Sequence, residues 1–184
     1  MRNKNIIIGL VGEIASGKGA VVNYLEKKYQ ASSYRYSKII RDILNRIDQD
    51  QTRENMALIS GFLRKNFGQD ILSKIMIKDI KRDKNKLIVF DGIRRVPDLK
   101  YFKNMSGFIL IKIVGNQKIR YKRFIKRNEN PGDNKKTYNQ FLNDLKDASN
   151  YEIPKVMKLT NLEINNDGDL KNLHKRIDQI IKNS

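Results

Sequence analysis

Cysteine is absent from the 184 residues, so neither a disulfide framework nor thiolate chemistry is open to the chain. The only histidine, His174, falls on the last helical pattern, far in sequence from the other suggestive groups, and reads as a surface residue. No apolar stretch approaches the length of a membrane span, so no membrane partner is expected. The opening Met-Arg-Asn-Lys-Asn runs directly into a strand-like segment and does not resemble a signal sequence, which points to a soluble, cytoplasmic protein. Acidic residues are few: 20 Asp plus Glu stand against 38 Lys plus Arg, a formal charge of +18. That excess favours polyanions at low salt, nucleotides and nucleic acids alike, although lysine and asparagine are abundant throughout and a solvated basic surface gives the same count. The length suits one packed domain over 1–184, as a monomer or homodimer.

What is present alternates. Strand-like runs occur at Ile6–Val11, Ser33–Tyr36, Leu87–Asp91, Phe108–Val114 and Leu162–Asn165, with helical patterns between them. This is the signature of a parallel sheet with helical crossovers, an α/β fold. Apolar stripes at helical spacing (Val21, Val22, Leu25, Tyr29; Met56, Ile59, Leu63, Phe67; Leu170, Leu173, Ile177, Ile180) are expected to face the core. The segment 37–85 holds about three helices, more than one crossover needs, and is a candidate acceptor-binding region. Residues 128–136 are polar and rich in helix breakers, with Pro131, Gly132 and Asp133, which marks a mobile loop inside a lid region at 116–136.

The most informative segment is Gly12-Glu-Ile-Ala-Ser-Gly17-Lys18-Gly19, which follows an apolar strand and precedes a helix. Glycines there let backbone N–H groups turn inward on a phosphate. The helix N-terminus adds positive potential, and Lys18 reaches the outer phosphates of ATP or GTP. Asp91 ends its strand at the carboxyl edge, where open α/β sheets hold ligands, and is the candidate to hold Mg²⁺ through water. Arg94 and Arg95 follow it, with planar forks suited to anionic oxygens. Arg120, Arg123 and Arg127 recur on one helical face just before the breaker-rich loop. From Lys118 to Lys136 eight basic and two acidic residues give 8 − 2 = +6, a concentration of charge that a transferring phosphoryl group can use. Ser37 and Arg41 open a helix after the second strand, and Arg53 and Arg64 project from the helical region beyond.

These residues resemble, over almost the whole chain, the nucleoside monophosphate kinase and dephospho-CoA kinase branch of P-loop proteins, including small P-loop kinases of mixed description. The likeness is carried by Gly17-Lys18-Gly19, by Tyr36-Ser37-Lys-Ile-Ile-Arg41, by Arg53-Glu-Asn55, by Phe90-Asp91-Gly92-Ile93-Arg94 and by Asn165-Asn166-Asp167-Gly168. It implies a three-layer α/β/α P-loop kinase fold with a five-stranded parallel sheet, a helical substrate-binding insertion and a lid. It also implies ATP phosphates on Gly12, Ala15, Ser16, Gly17, Lys18, Gly19 and Ala20, and an acceptor gripped by Ser37, Arg41, Arg53, Arg64 and Arg94. Arg120, Arg123 and Arg127 would stand on the lid side, Arg120 binding ATP and Arg123 and Arg127 acting as catalytic groups, and Asn166 to Gly168 would line the base pocket.

Two departures stand out. The hydroxyl expected after the loop lysine is Gly19, followed by Ala20, so Mg²⁺ would rest on phosphates, water, Asp91 and Ser16. The stretch after the second strand, Tyr34-Arg-Tyr-Ser37-Lys, has no carboxylate before Asp42. A sugar hydroxyl needs a base there, whereas an ionised phosphate acceptor needs only positioning and charge cancellation. The reading is therefore an ATP- and Mg²⁺-dependent kinase acting on a nucleotide-like small molecule, foremost a nucleoside monophosphate. The alternatives are a dephospho-CoA kinase, a nucleic-acid-binding ATPase or polynucleotide kinase, and a nucleotide sensor without turnover.

Overall fold

Three nearly continuous apolar runs make the middle of the sheet: β1 (Ile6–Val11), β3 (Leu87–Asp91) and β4 (Phe108–Val114). Such runs suit strands buried on both faces. In the computed structural model, which describes residues 5–129, 132–146 and 150–184, they pair in parallel with edge strands β2 (Ser32–Arg35) and β5 (Glu163–Asn165) in the order β2-β3-β1-β4-β5. The opening segment 1–4 and Pro131 lie outside the described residues.

Alternation along the strands sorts side chains onto two faces. Ile7, Val11, Ile88 and Phe90 join one core with residues of α2 (Tyr36–Arg46), α4 (Ile71–Arg82) and α7 (Ile153–Met157). Ile8, Leu10, Val89, Ile111 and Ile113 join the other with α1 (Lys18–Tyr29) and α8 (Leu170–Lys182). The result is the expected three-layer α/β/α arrangement, and each fully buried Ile, Leu or Phe contributes about 1.5–3 kcal/mol. No helix among the described residues is long and apolar enough to cross a membrane.

The segment 37–85 does hold helices: α2, α3 (Arg53–Phe67) and α4. Here the apolar stripe is corrected. Met56, Ile59 and Leu63 only edge the core, and Phe67 is 56% exposed. Gly68, at φ +101, turns the chain immediately after Phe67, whose ring rests on Phe62. Leu170 is likewise exposed, because it is the first residue of α8 and follows the N-cap Asp169. Tyr36 belongs to α2 and not to β2, and Leu162 precedes β5.

The segment 116–136, expected to act as a lid, holds α5 (Gln117–Arg127) and a short 3-10 turn at Asp133–Lys135, and α6 (Tyr138–Lys146) follows it. Its described loop residues are anchored. Asp133 is fully buried and accepts two hydrogen bonds from Arg53 Nη2, at 2.9 and 3.1 Å, across from α3. A polar loop reads as free when the partner of its buried carboxylate lies far back in the sequence.

His174 is also corrected. It is half-buried, with its ring stacked on Tyr24 at a centroid separation of 3.7 Å. Beside it Tyr24, Tyr29 and Lys28 converge on Asp178, each at 2.7 Å, tying α1 to α8. These bonds, opposed by desolvation, bring the Asp178 carboxyl down to about 2, and Lys100, Tyr101 and Lys74 do the same for Asp70. A depressed carboxylate adds stability above the unfolded value and loses it as pH falls toward the folded one. The melting temperature is therefore expected to hold from about pH 7 to about pH 5 and to fall between about pH 4 and about pH 2. Asp178→Asn should lower it at neutral pH and flatten that acid limb; an unchanged acid limb in thermal melts would refute the assignment.

Candidate active site

β1 delivers the chain to the carboxyl edge of the sheet at its switch point, between β3 and β4, where parallel α/β sheets form a crevice. Residues 12–17 turn there, and Lys18 opens α1. Glycine is required twice. A Cβ at Gly12 would sit 2.4 Å from the Ile113 carbonyl oxygen, and one at Gly17, at φ +107, would fall 2.0 Å from Asn166 Nδ2. Ala15 adopts a left-handed φ of 57°, which costs an L-residue about 1–2 kcal/mol, and its methyl packs with Phe124 and Phe141. Ala20 N donates to Gly17 O at 3.0 Å, while the amides of Lys18 and Gly19 precede the helix's own hydrogen-bond ladder, as first-turn amides do.

Lys18 Nζ crosses this loop and donates to the carbonyls of Gly12 at 2.7 Å and Glu13 at 3.1 Å. Desolvation lowers its pKa; Asp91 and Glu129 oppose that shift, while Arg94 and Arg127 reinforce it. The guanidinium of Arg94 is similarly pushed down by desolvation, with Asp91 and Glu129 supporting its charge and Arg53 opposing it. One field thus links the loop lysine, the strand-end carboxylate, an arginine after β3, an arginine of α3 and the end of α5.

Two buried polar atoms in this region have no hydrogen-bond partner among the described residues: Ser16 Oγ and Asp91 Oδ1. Orphans of this kind are costly and call for a ligand. Arg53 Nε is a third, near the clasp with Asp133. No group of three or more His, Asp or Glu among the described residues forms a metal cage. A hydroxyl and a carboxylate alone fit a cation carried in on phosphate oxygens and water, as Mg²⁺ usually is.

The structure places the remaining expected site residues in two groups. Arg94 Nη1 donates to Asn150 Oδ1 at 3.1 Å, Arg41 Nη1 to Gln51 Oε1 at 2.8 Å, and Arg127 pairs with Glu129 at 2.5 Å, all on partly or fully exposed side chains. Ser37 is half-exposed at the start of α2. By contrast, Arg64 and Arg120 are turned inward. Arg64 is 6% exposed and pairs with fully buried Asp98 at 2.9 Å. Arg120 is 3% exposed and holds the loop from behind, donating to Ile14 O and Gly115 O at 3.1 Å each and pairing with Glu13. Arg123 donates to Asn166 O at 2.7 Å, and Asn166, itself buried, donates to Ser16 O at 2.8 Å. Gly168 lines a recess of about 440 Å³ with Asn165, Asn172, Lys175 and Arg176, on the α8 side.

Sequence reasoning missed Asp98, whose Oδ2 accepts the amides of Arg94 and Arg95 at 3.1 and 3.0 Å and so shapes the turn that presents Arg94. An Asp three residues beyond Arg95 and directly after Pro97 was the available signal. It also missed Asn150, which has no such signal, and Arg35, whose Nη2 lies 3.5 Å from where a Gly19 Cβ would be.

The strand order, the loop after β1 and the loop lysine together define the α/β fold of P-loop kinases. No family model matches the chain. It is similar to the UPF0200 protein of Methanoregula boonei, 26% identical over 176 residues and 95% of each chain, and to that of Staphylothermus marinus, 26% identical over 97% of this chain and 93% of the relative. Among solved structures, shikimate kinase from Bacteroides thetaiotaomicron superposes with a TM-score of 0.64 over 96% of this chain and 98% of its own, at 11% identity. That likeness shows the fold; the choice of substrate rests on the site residues.

Proposed function

We propose that the protein is an ATP-dependent kinase that transfers the γ-phosphoryl group to a nucleoside monophosphate. The observation that carries this reading is the loop of residues 12–18, with Lys18 folded across it beside two orphaned buried oxygens, Ser16 Oγ and Asp91 Oδ1. Kinase-fold neighbours such as shikimate kinase support phosphoryl transfer to a small molecule.

In this scheme the loop amides and Lys18 hold the β- and γ-phosphates, and Lys18 leaves its loop carbonyls to do so. Arg94, presented by Asp98, and Arg41 hold the acceptor phosphate in line. An acceptor phosphate oxygen forms the new P–O bond as the bond to the β,γ-bridging oxygen breaks, and ADP departs with that electron pair. Bound Mg²⁺ would neutralise phosphate charge, with Asp91 and Ser16 nearest to its water shell. Arg127 supplies positive charge from the lid side, while Arg64, Arg120 and Arg123 position backbone rather than touch substrate. An ionised acceptor needs no general base, which suits a cleft where arginines outnumber carboxylates.

The test is ADP release from ATP with a panel of nucleoside monophosphates, dephospho-CoA and a 5′-hydroxyl oligonucleotide. Turnover with one or more monophosphates is expected; turnover with dephospho-CoA or the oligonucleotide alone would replace this reading, and ATP binding without turnover on any acceptor would select a sensor.

A further inference from the structure

The residue after the loop lysine ordinarily brings a hydroxyl to the phosphate-bound cation. Here it is Gly19, and space does not explain the choice. A Cβ at Gly19 would meet nothing closer than Arg35 Nη2, at 3.5 Å, an ordinary van der Waals contact. The place where the missing side chain would extend is therefore shared with a guanidinium.

Arg35 closes β2, stands opposite Asp91 in the sheet register and immediately precedes α2, so its backbone is fixed at the carboxyl edge beside the loop. Among the described residues its guanidinium has no hydrogen-bonded or ion-paired partner. Ser16 Oγ and Asp91 Oδ1, the two orphaned oxygens, belong to the same edge. An unpaired planar cation next to a phosphate loop has its five donors available for anionic oxygens.

Resting on the nucleotide reading above, we infer that Arg35 replaces the missing loop hydroxyl, its guanidinium bonding the outer phosphate oxygens of the bound nucleoside triphosphate directly. The fork matches two non-bridging oxygens at once and carries its charge permanently. A fixed positive charge at that point also repels a divalent cation, so Mg²⁺ adds less to binding here than it does beside a loop serine or threonine. Arg35 and Gly19 are on this view a matched pair in chemistry and not in size: the loop forgoes a cation-binding hydroxyl where the guanidinium supplies the charge.

The experiment is titration of a fluorescent N-methylanthraniloyl-ATP into the full chain, with Mg²⁺ and with EDTA. The proteins are wild type, Arg35→Ala, Arg35→Lys and the double variant Arg35→Ala/Gly19→Ser, each checked for an unchanged thermal melt. Wild type is expected to bind in EDTA within about threefold of its affinity in Mg²⁺, and Arg35→Ala to lose about tenfold or more in EDTA, with Arg35→Lys intermediate. The double variant should recover binding in Mg²⁺ only. Wild type that binds only with Mg²⁺, or Arg35→Ala that binds in EDTA within about twofold of wild type, overturns the assignment of Arg35 and leaves the nucleotide site standing. Wild type that binds in neither buffer removes the nucleotide site and this inference together.

Discussion

Lys18→Ala is expected to keep its fold and to lose ATP-dependent phosphoryl transfer by about 10³-fold, the loss typical of removing a charge-stabilising donor from a reacting centre. The structure supports both halves. Among the described residues Nζ bonds the Gly12 and Glu13 carbonyls of its own loop and no distant element. The ammonium is also desolvated, and deleting it relieves a cost rather than breaking a support. A thermal melt and an ADP assay on one preparation decide the matter. Undiminished ADP production would count against the site as a whole, whereas a collapsed melt would show that Lys18 is structural and remove its catalytic assignment.

Asp98→Ala carries the largest expected effect on stability. Asp98 is fully buried; one oxygen pairs with Arg64 and the other accepts the amides of Arg94 and Arg95. Its main-chain oxygen accepts from Ser73 Oγ at 3.0 Å and from the Tyr36 hydroxyl at 3.3 Å. Removing the carboxylate leaves the Arg64 charge uncompensated in the interior, a loss of about 3–5 kcal/mol, or about 6–20 °C in melting temperature for a chain of this size. Arg64→Met combined with Asp98→Asn should recover part of the loss, since an apolar replacement removes the stranded charge. A single variant that melts within about 2 °C of wild type would show that the pair is immaterial. Because Asp98 also shapes the turn before Arg94, the single variant should weaken acceptor use beyond what its stability predicts.

The contrast between Lys18 and Arg64 shows what the sequence can reveal. The strand before the loop, the glycines, Lys18 and the strand-end Asp91 are contiguous or set by a period of two, and local pattern located all of them. The arginines were a different problem. Arg64, Arg120 and Arg123 carry the same charge and helical setting as residues that face a ligand, but their partners lie at Asp98, at Ile14 and at Asn166, far away in sequence. Whether a guanidinium points into a cleft or braces a loop is decided by packing across the sheet, which spacing does not encode. The same holds for His174 and Tyr24, whose stacking depends on α1 and α8 being neighbours.

Ala15 has one more consequence. Its methyl is locked among Phe124 of α5 and Phe141 of α6 while its backbone is held left-handed in the phosphate loop. Together with the Arg120 bonds to Ile14 O and Glu13, this contact gears α5 and α6 to the loop, so a tilt of either helix bears directly on the amides proposed to receive the phosphates.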